Sequence, residues 1–194
     1  MGAGNPIQAN NKTMVIKTRN EFALFLRGRR LTESAVEVGV AEGYFSWHLL
    51  DNWPGTLYMV DPWRVLDVAG YSVHGELDQD ARYQRVLDKA ATYKGRARLM
   101  RMTSQEAAHL LNDGHFDFIY IDANHTFPSV VDDIALWWPK VRQGGVLAGH
   151  DYLDGVVGGV DYGVKRAVDL FADSLKLKVG VTHEEFPSWW VRKE

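Results

Sequence analysis

Residues 35–43 read Ala35-Val36-Glu37-Val38-Gly39-Val40-Ala41-Glu42-Gly43. A short apolar run enters a turn carrying two glycines, and Tyr44 to Leu50 then takes up helical spacing. Strand, glycine turn and helix in that order make the first half of a βαβ unit. Working outward, Leu57-Tyr58-Met59-Val60 is a second strand, ended by Asp61-Pro62. On the other side, Arg19 to Arg30 reads as a helix, with Phe22, Phe25 and Leu26 on one face.

The alternation continues along the chain. Asp78 to Tyr93 is expected to be helical, Arg98 to Met102 a third strand, and a helix follows from Ser104. Phe116 to Ile121 is apolar almost throughout, which suits a central parallel strand covered on both faces. Pro128 to Trp138 is the next helix, and Gly144-Gly145 turns the chain into strand Val146-Leu147-Ala148. A helix over Val164 to Leu175 precedes strands Lys176 to Val181 and Ser188 to Arg192, too close together to hold another helix. The expected architecture is a single doubly wound, Rossmann-like α/β domain over residues 16–194. Its mostly parallel, seven-stranded sheet ends in a C-terminal antiparallel hairpin. Residues 1–15 are expected to form a flexible N-terminal segment.

The chain's 194 residues suffice for one full hydrophobic core, and no Gly-, Ser- or Pro-rich linker divides them. A net charge of -3 argues against a general nucleic-acid or membrane-surface binder. The absence of cysteine excludes disulfides, thiolate metal sites and cysteine nucleophiles, so any metal must sit on oxygen or imidazole. No apolar run reaches the length of a membrane span, and the expected location is cytoplasmic. Composition leaves the oligomeric state open.

Open sheets of this type bind ligands beyond the carboxyl ends of their strands. A dinucleotide loop needs Gly-x-Gly-x-x-Gly, but Glu37 stands at the first of those glycines and Glu42 adds a second carboxylate. Two carboxylates disfavour a pyrophosphate and suit a cationic ligand, such as the amino and sulfonium groups of S-adenosylmethionine. Asp61, ending the second strand, can accept hydrogen bonds from ribose hydroxyls. With Glu37, Gly39 and Gly43 it completes a pattern that resembles the class I methyltransferases. Ser104 and Gln105 are placed to meet an adenine edge, with a helix cap by Ser104 or Thr103, and Glu106 in the first turn, as the plainer reading. Trp63 covers the nucleoside or belongs to the core.

Asp122-Ala123-Asn124-His125 follows the fourth strand and His150-Asp151 the fifth. Adjacent strand ends lie roughly 5 Å apart, so the two groups should converge. Asp122 and Asp151, with His150, would make a site for Mg²⁺ or Mn²⁺, and His125 could take a proton from a substrate hydroxyl. Here the chain resembles the metal-dependent O-methyltransferases of the catechol and macrolide-sugar type. The resemblance implies cofactor contacts from Glu37, Gly39, Gly43, Ser46, Asp61, Ser104, Gln105 and Asp122. It also implies a base three residues after Asp122, which is His125, and metal ligands at Asp122, His150 and Asp151. His150 departs from the family, which carries a carboxylate there.

The segments Arg64 to Gln79 and Asp151 to Gly163 are expected to form the substrate mouth. They hold Tyr71, His74, Glu76, Tyr152, Asp154, Asp161 and Tyr162, a polar set that favours a sugar, glycan or small polyol. Three other readings compete. They are a metal-independent methyltransferase acting on a phenolic or other small molecule, an NAD-linked oxidoreductase and a non-catalytic cofactor-binding module.

Overall fold

In a computed structural model, which describes residues 16–66 and 78–194, the unbroken apolar runs lie at the centre of the sheet. Every residue of β1 (Ser34–Val38) and β4 (Phe116–Ile121) is buried, as two-sided cover requires. β2 (Thr56–Asp61) and β3 (Ala97–Arg101) extend the sheet on one side, and β5 (Val141–Gly149) on the other. These five strands are parallel. After the short hairpin β6 (Asp154–Val157) and β7 (Val160–Gly163), the chain returns as β8 (Gly180–Val181) and β9 (Trp189–Arg192). The seven-stranded order is β3-β2-β1-β4-β5-β9-β8, with β9 antiparallel to both of its neighbours.

Helices cover both faces. α1 (Phe22–Gly28), α2 (Tyr44–Asn52) and α3 (Gln79–Ala91) bury Phe22, Phe25, Leu49, Leu50, Trp53 and Val86 against one face. α4 (Ser104–Leu110), α5 (Phe127–Trp137) and α6 (Val164–Leu175) bury Ala107, Val130, Ile134, Trp137 and Val168 against the other. Each fully buried large side chain contributes about 1.5–3 kcal/mol relative to exposure, so the two apolar layers set the sheet's place between them.

Several elements differ from their sequence reading. The first helix opens with a 3₁₀ turn over Arg19–Glu21 and becomes α-helical only at Phe22. β5 starts at Val141, upstream of Gly144-Gly145, because a register shift against β4 between Phe116 and Phe118 absorbs the glycines. β8 keeps two residues of the expected six, because Lys176 ends α6 in the left-handed conformation and Leu177 N–H closes it on the Ala172 carbonyl. The segment after Asp151, for which the sequence reading named no strand, contains the β6–β7 hairpin.

Register positions the site. Val38 pairs with Val60 on β2 and Ile121 on β4, and Ile121 pairs with Gly149 on β5. The turns that follow therefore leave the sheet at one level, where Asp122 N–H donates to the Val38 carbonyl and His150 N–H to Ile121.

Candidate active site

Beyond those strand ends lies a cavity of about 490 Å³. Its lining includes Glu37, Gly39, Asp61, Ser104, Gln105, Asp122 and His125, seven of the residues read from the sequence. Gly43, Ser46 and Trp63 are outside that lining. Gly43 precedes α2 with φ +77°, and a Cβ there would come within 2.7 Å of the Trp47 ring. Ser46 is buried behind Glu37 and donates its hydroxyl hydrogen to Oε2. Trp63 belongs to the core, with its indole N–H donated to the Ala41 carbonyl at 3.0 Å and its ring against Tyr83.

Gly39 is required by close approach as well as by its φ of +87°. A Cβ there would lie 2.0 Å from the Asp122 carbonyl oxygen. This contact lets the loops after β1 and β4 touch, so Glu37 and Asp122 share one cavity wall. Burial raises the Glu37 carboxyl to about 8, and the Ser46 hydroxyl only partly offsets it. The second loop acid is differently placed: Glu42 pairs with the buried Arg82 of α3 at 3.0 Å and with Arg85 at 3.6 Å. Its charge is therefore compensated by two guanidinium groups. Asp61 organises the same loop, since Oδ2 accepts from the Val40 and Ala41 amides and Oδ1 from the Trp63 amide.

At the β3 end, Thr103 caps α4 in a capping box with Glu106. Of the two capping candidates read from sequence, Thr103 takes the role and Ser104 is free for another. Its hydroxyl donates to Asp133 of α5 and accepts from the Trp137 indole at 2.8 Å. Asp133, which the sequence reading did not single out, lines the cavity and is 4% exposed. Burial raises its carboxyl to about 6.

At the β4–β5 end, the expected convergence is present with an altered membership. Ligand atoms of Asp122, His125 and Asp151 lie within 4.8 Å of one another. His125 Nε2 is 2.8 Å from Asp151 Oδ2 and 3.5 Å from Asp122 Oδ1. His150 sits at the edge, with Nδ1 3.2 Å from Asp151 Oδ2 and 3.8 Å from Asp122 Oδ1. Thus His125, read from sequence as the base, lies closer to both carboxylates than His150, which was read as a metal ligand. Despite the 2.8 Å approach, Nε2 is buried without a hydrogen bond among the described residues. Cis ligands of an ion held at about 2.1 Å are themselves about 3 Å apart, so the donor set fits a divalent ion. Asp151 takes up its place with φ +54°, an uncommon conformation that Asp tolerates better than most residues.

Burial works to lower the His125 pKa, but Asp122 and Asp151 outweigh it and hold the imidazole near 9. Burial likewise works to raise Asp151, and His125 and His150 outweigh it, leaving the carboxyl well below its ordinary value. The Tyr162 ring from β7 stacks on His125, 4.6 Å between centroids and 2° from parallel. Arg19 lines the same end with Nη1 3.4 Å from Asp122 Oδ2. No spacing rule points to Arg19, because it arrives from the turn before α1, 103 residues away from Asp122.

The polar mouth is mostly occupied with its own scaffold. Tyr152 donates to Asp169, while Asp154 and Asp161 pair with Arg166 at 3.4 and 3.7 Å. Of that set only Tyr162 lines the cavity, and Tyr71, His74 and Glu76 lie outside the described residues.

A family profile described as "Methyltransferase domain" matches residues 36–152, the stretch from β1 through the Asp151 turn. A curated relative, the uncharacterized protein y4gI of Sinorhizobium fredii, is 29% identical over 127 residues. That alignment covers 65% of this chain, and the chain spans only 13% of the relative's length. Among solved structures, the O-methyltransferase of Bacillus cereus in complex with S-adenosylhomocysteine is 15% identical with a TM-score of 0.59, covering 90% of this chain and 80% of that one. A provisionally named caffeoyl-CoA O-methyltransferase of Staphylococcus aureus is also 15% identical, with a TM-score of 0.66 over 95% of this chain and 87% of its own. At these identities the structures attest the fold. The profile spans the glycine turn, Asp61 and the Asp122–His125 loop, and on that ground the chain belongs to the methyltransferase-domain family.

Proposed function

We propose that this chain transfers the methyl group of S-adenosylmethionine to a hydroxyl of a sugar, glycan or small polyol, assisted by a divalent ion. The observation that carries the metal assignment is the His125 Nε2 atom, buried without a hydrogen bond and converging with Asp122 and Asp151. Those three side chains would hold the ion, with His150 beside them. Imidazole and carboxylate together suit Mn²⁺ better than Mg²⁺, which favours all-oxygen sites. When bound, such an ion orients a hydroxyl and lowers its pKa.

The protein's own part is positioning. Glu37 would accept the cofactor's ammonium and Asp61 would face the ribose, which brings the sulfonium methyl toward the Asp122 end of the cavity. The acceptor oxygen attacks that carbon, the carbon–sulfur bond breaks, and neutral S-adenosylhomocysteine and a proton are released. Holding both partners in line supplies much of the acceleration. Arg19, Asn124, Ser129 and Tyr162 give the acceptor end polar walls, which supports a hydroxyl-rich substrate.

A metal-independent reading has one observation in its favour: His125 lines the cavity and His150 does not. Without an ion, His125 would be the imidazole placed beside the acceptor, and with its pKa near 9 it would take the acceptor's proton only at alkaline pH. Electron paramagnetic resonance of Mn²⁺ binding, run beside S-adenosylhomocysteine release with a panel of sugars and polyols, separates the two. The proposal expects Mn²⁺ binding weakened at least about tenfold by His125→Ala, in the range seen when a metal site loses a supporting group, and turnover lost to EDTA. Full turnover in EDTA with an inactive His125→Ala variant would replace it by the metal-independent reading.

A further inference from the structure

Asp133 is the one carboxylate at the β3 end of the cavity, and nothing in the methyl-transfer reading uses it. It is 4% exposed, and among the described residues no cation lies within ion-pair distance. Oδ1 accepts the Ser104 hydroxyl, while Oδ2 takes no bond from the described residues and is left on the cavity wall. Ser104 itself has nothing more to donate, because its single hydroxyl hydrogen goes to Asp133 while the Trp137 indole donates to its oxygen. Ser104 and Trp137 therefore act as a brace that fixes Asp133. The charged acceptor at this end is the carboxylate, beside Gln105 on the cavity lining.

An ionised carboxylate can only accept hydrogen bonds. One whose second oxygen takes no bond from the described residues keeps accepting capacity for a ligand donor. On the reading that this cavity holds S-adenosylmethionine, Glu37 and Asp61 face its amino-acid and ribose parts, which leaves the nucleobase for the β3 end. The donor on an adenine edge is its exocyclic 6-amino group. We infer that Asp133 accepts a hydrogen bond from that 6-amino group and selects a 6-aminopurine cofactor over its 6-oxo counterpart. In the 6-oxo base the donor becomes an acceptor, and two acceptors then face each other in a buried site. Sites built to pair a polar substrate group reject analogues lacking it far more strongly than apolar pockets reject a methylene.

The test is calorimetric titration of the full chain with S-adenosylhomocysteine and S-inosylhomocysteine, in the native protein and in Asp133→Asn. The asparagine carbonyl can still accept from Ser104, and its amide can donate toward a 6-oxo group. Circular dichroism and a melting curve establish that the variant folds, and the native protein's preference needs no variant. The native protein should bind the adenosyl compound at least about tenfold more tightly, and the ratio should collapse or invert in Asp133→Asn. Equal binding of the two compounds by the native protein overturns the inference and leaves the cofactor reading standing, as does a preference unchanged in a folded Asp133→Asn. Failure of the native protein to bind either compound removes the cofactor reading and this inference with it.

Discussion

Glu37 illustrates how a single residue ties fold to chemistry. Its place on β1 sends the side chain into the cavity, and burial raises its carboxyl to about 8. The folded state therefore keeps a proton that the unfolded chain gives up near the ordinary carboxylate value. Stability from this group is complete below that value and is lost as pH rises through about 8. Native protein should lose stability relative to Glu37→Gln between about pH 5 and about pH 8.5, as read by urea unfolding at each pH. Parallel profiles for the two proteins would mean that Glu37 is already ionised in the fold. The glycine spacing made Glu37, Gly39 and Asp61 legible from sequence, because backbone approach and strand-end position follow from local pattern. Arg19 and Asp133 were not legible. Each reaches the cavity through packing against a distant element, Arg19 onto the β4 turn and Asp133 onto the start of α4.

At the scale of elements, the β6–β7 hairpin is the feature that sequence pattern concealed. Gly158 and Gly159 form the turn of a short antiparallel pair, Val157 against Val160, inside the segment read only as substrate mouth. The hairpin is tied back by Gly163 N–H donating to the His125 carbonyl at 2.9 Å, and it carries Tyr162 onto the imidazole face. Stacked aromatic pairs contribute about 0.5–1.5 kcal/mol, which corresponds to at most about a tenfold change in rate. Tyr162→Ala should therefore lower turnover several-fold by loosening His125, while S-adenosylhomocysteine affinity stays near native, because the stack lies at the acceptor end. An affinity loss as large as the loss of turnover, measured by the same calorimetry, would place Tyr162 in the cofactor's share of the cavity instead. The two histidines show why element-level reasoning was incomplete. Sequence placed both at strand ends, but it did not show that the hairpin would stack Tyr162 on the His125 ring.

For the molecule as a whole, the doubly wound sheet was readable because its central strands are uninterrupted apolar runs separated by helix-length segments. The edge was harder. β9 enters antiparallel between β5 and β8, and the shortness of β8 comes from the way α6 closes at Lys176, which no periodicity announces. Among the described residues no helix is long and apolar enough to cross a membrane. Register brings the turns after β1, β2, β3 and β4 to one cavity, so one ligand should engage all four. Such binding would stabilise the whole fold by about 2.7 kcal/mol at a ligand concentration of 100 times Kd. The most direct test is calorimetric titration of the full chain with S-adenosylmethionine, S-adenosylhomocysteine and NAD, with the melting temperature recorded for each. Saturable one-to-one binding of the two adenosyl compounds, each raising the melting temperature, with no response to NAD, is the predicted result. Binding of NAD in preference to S-adenosylmethionine would contradict the account.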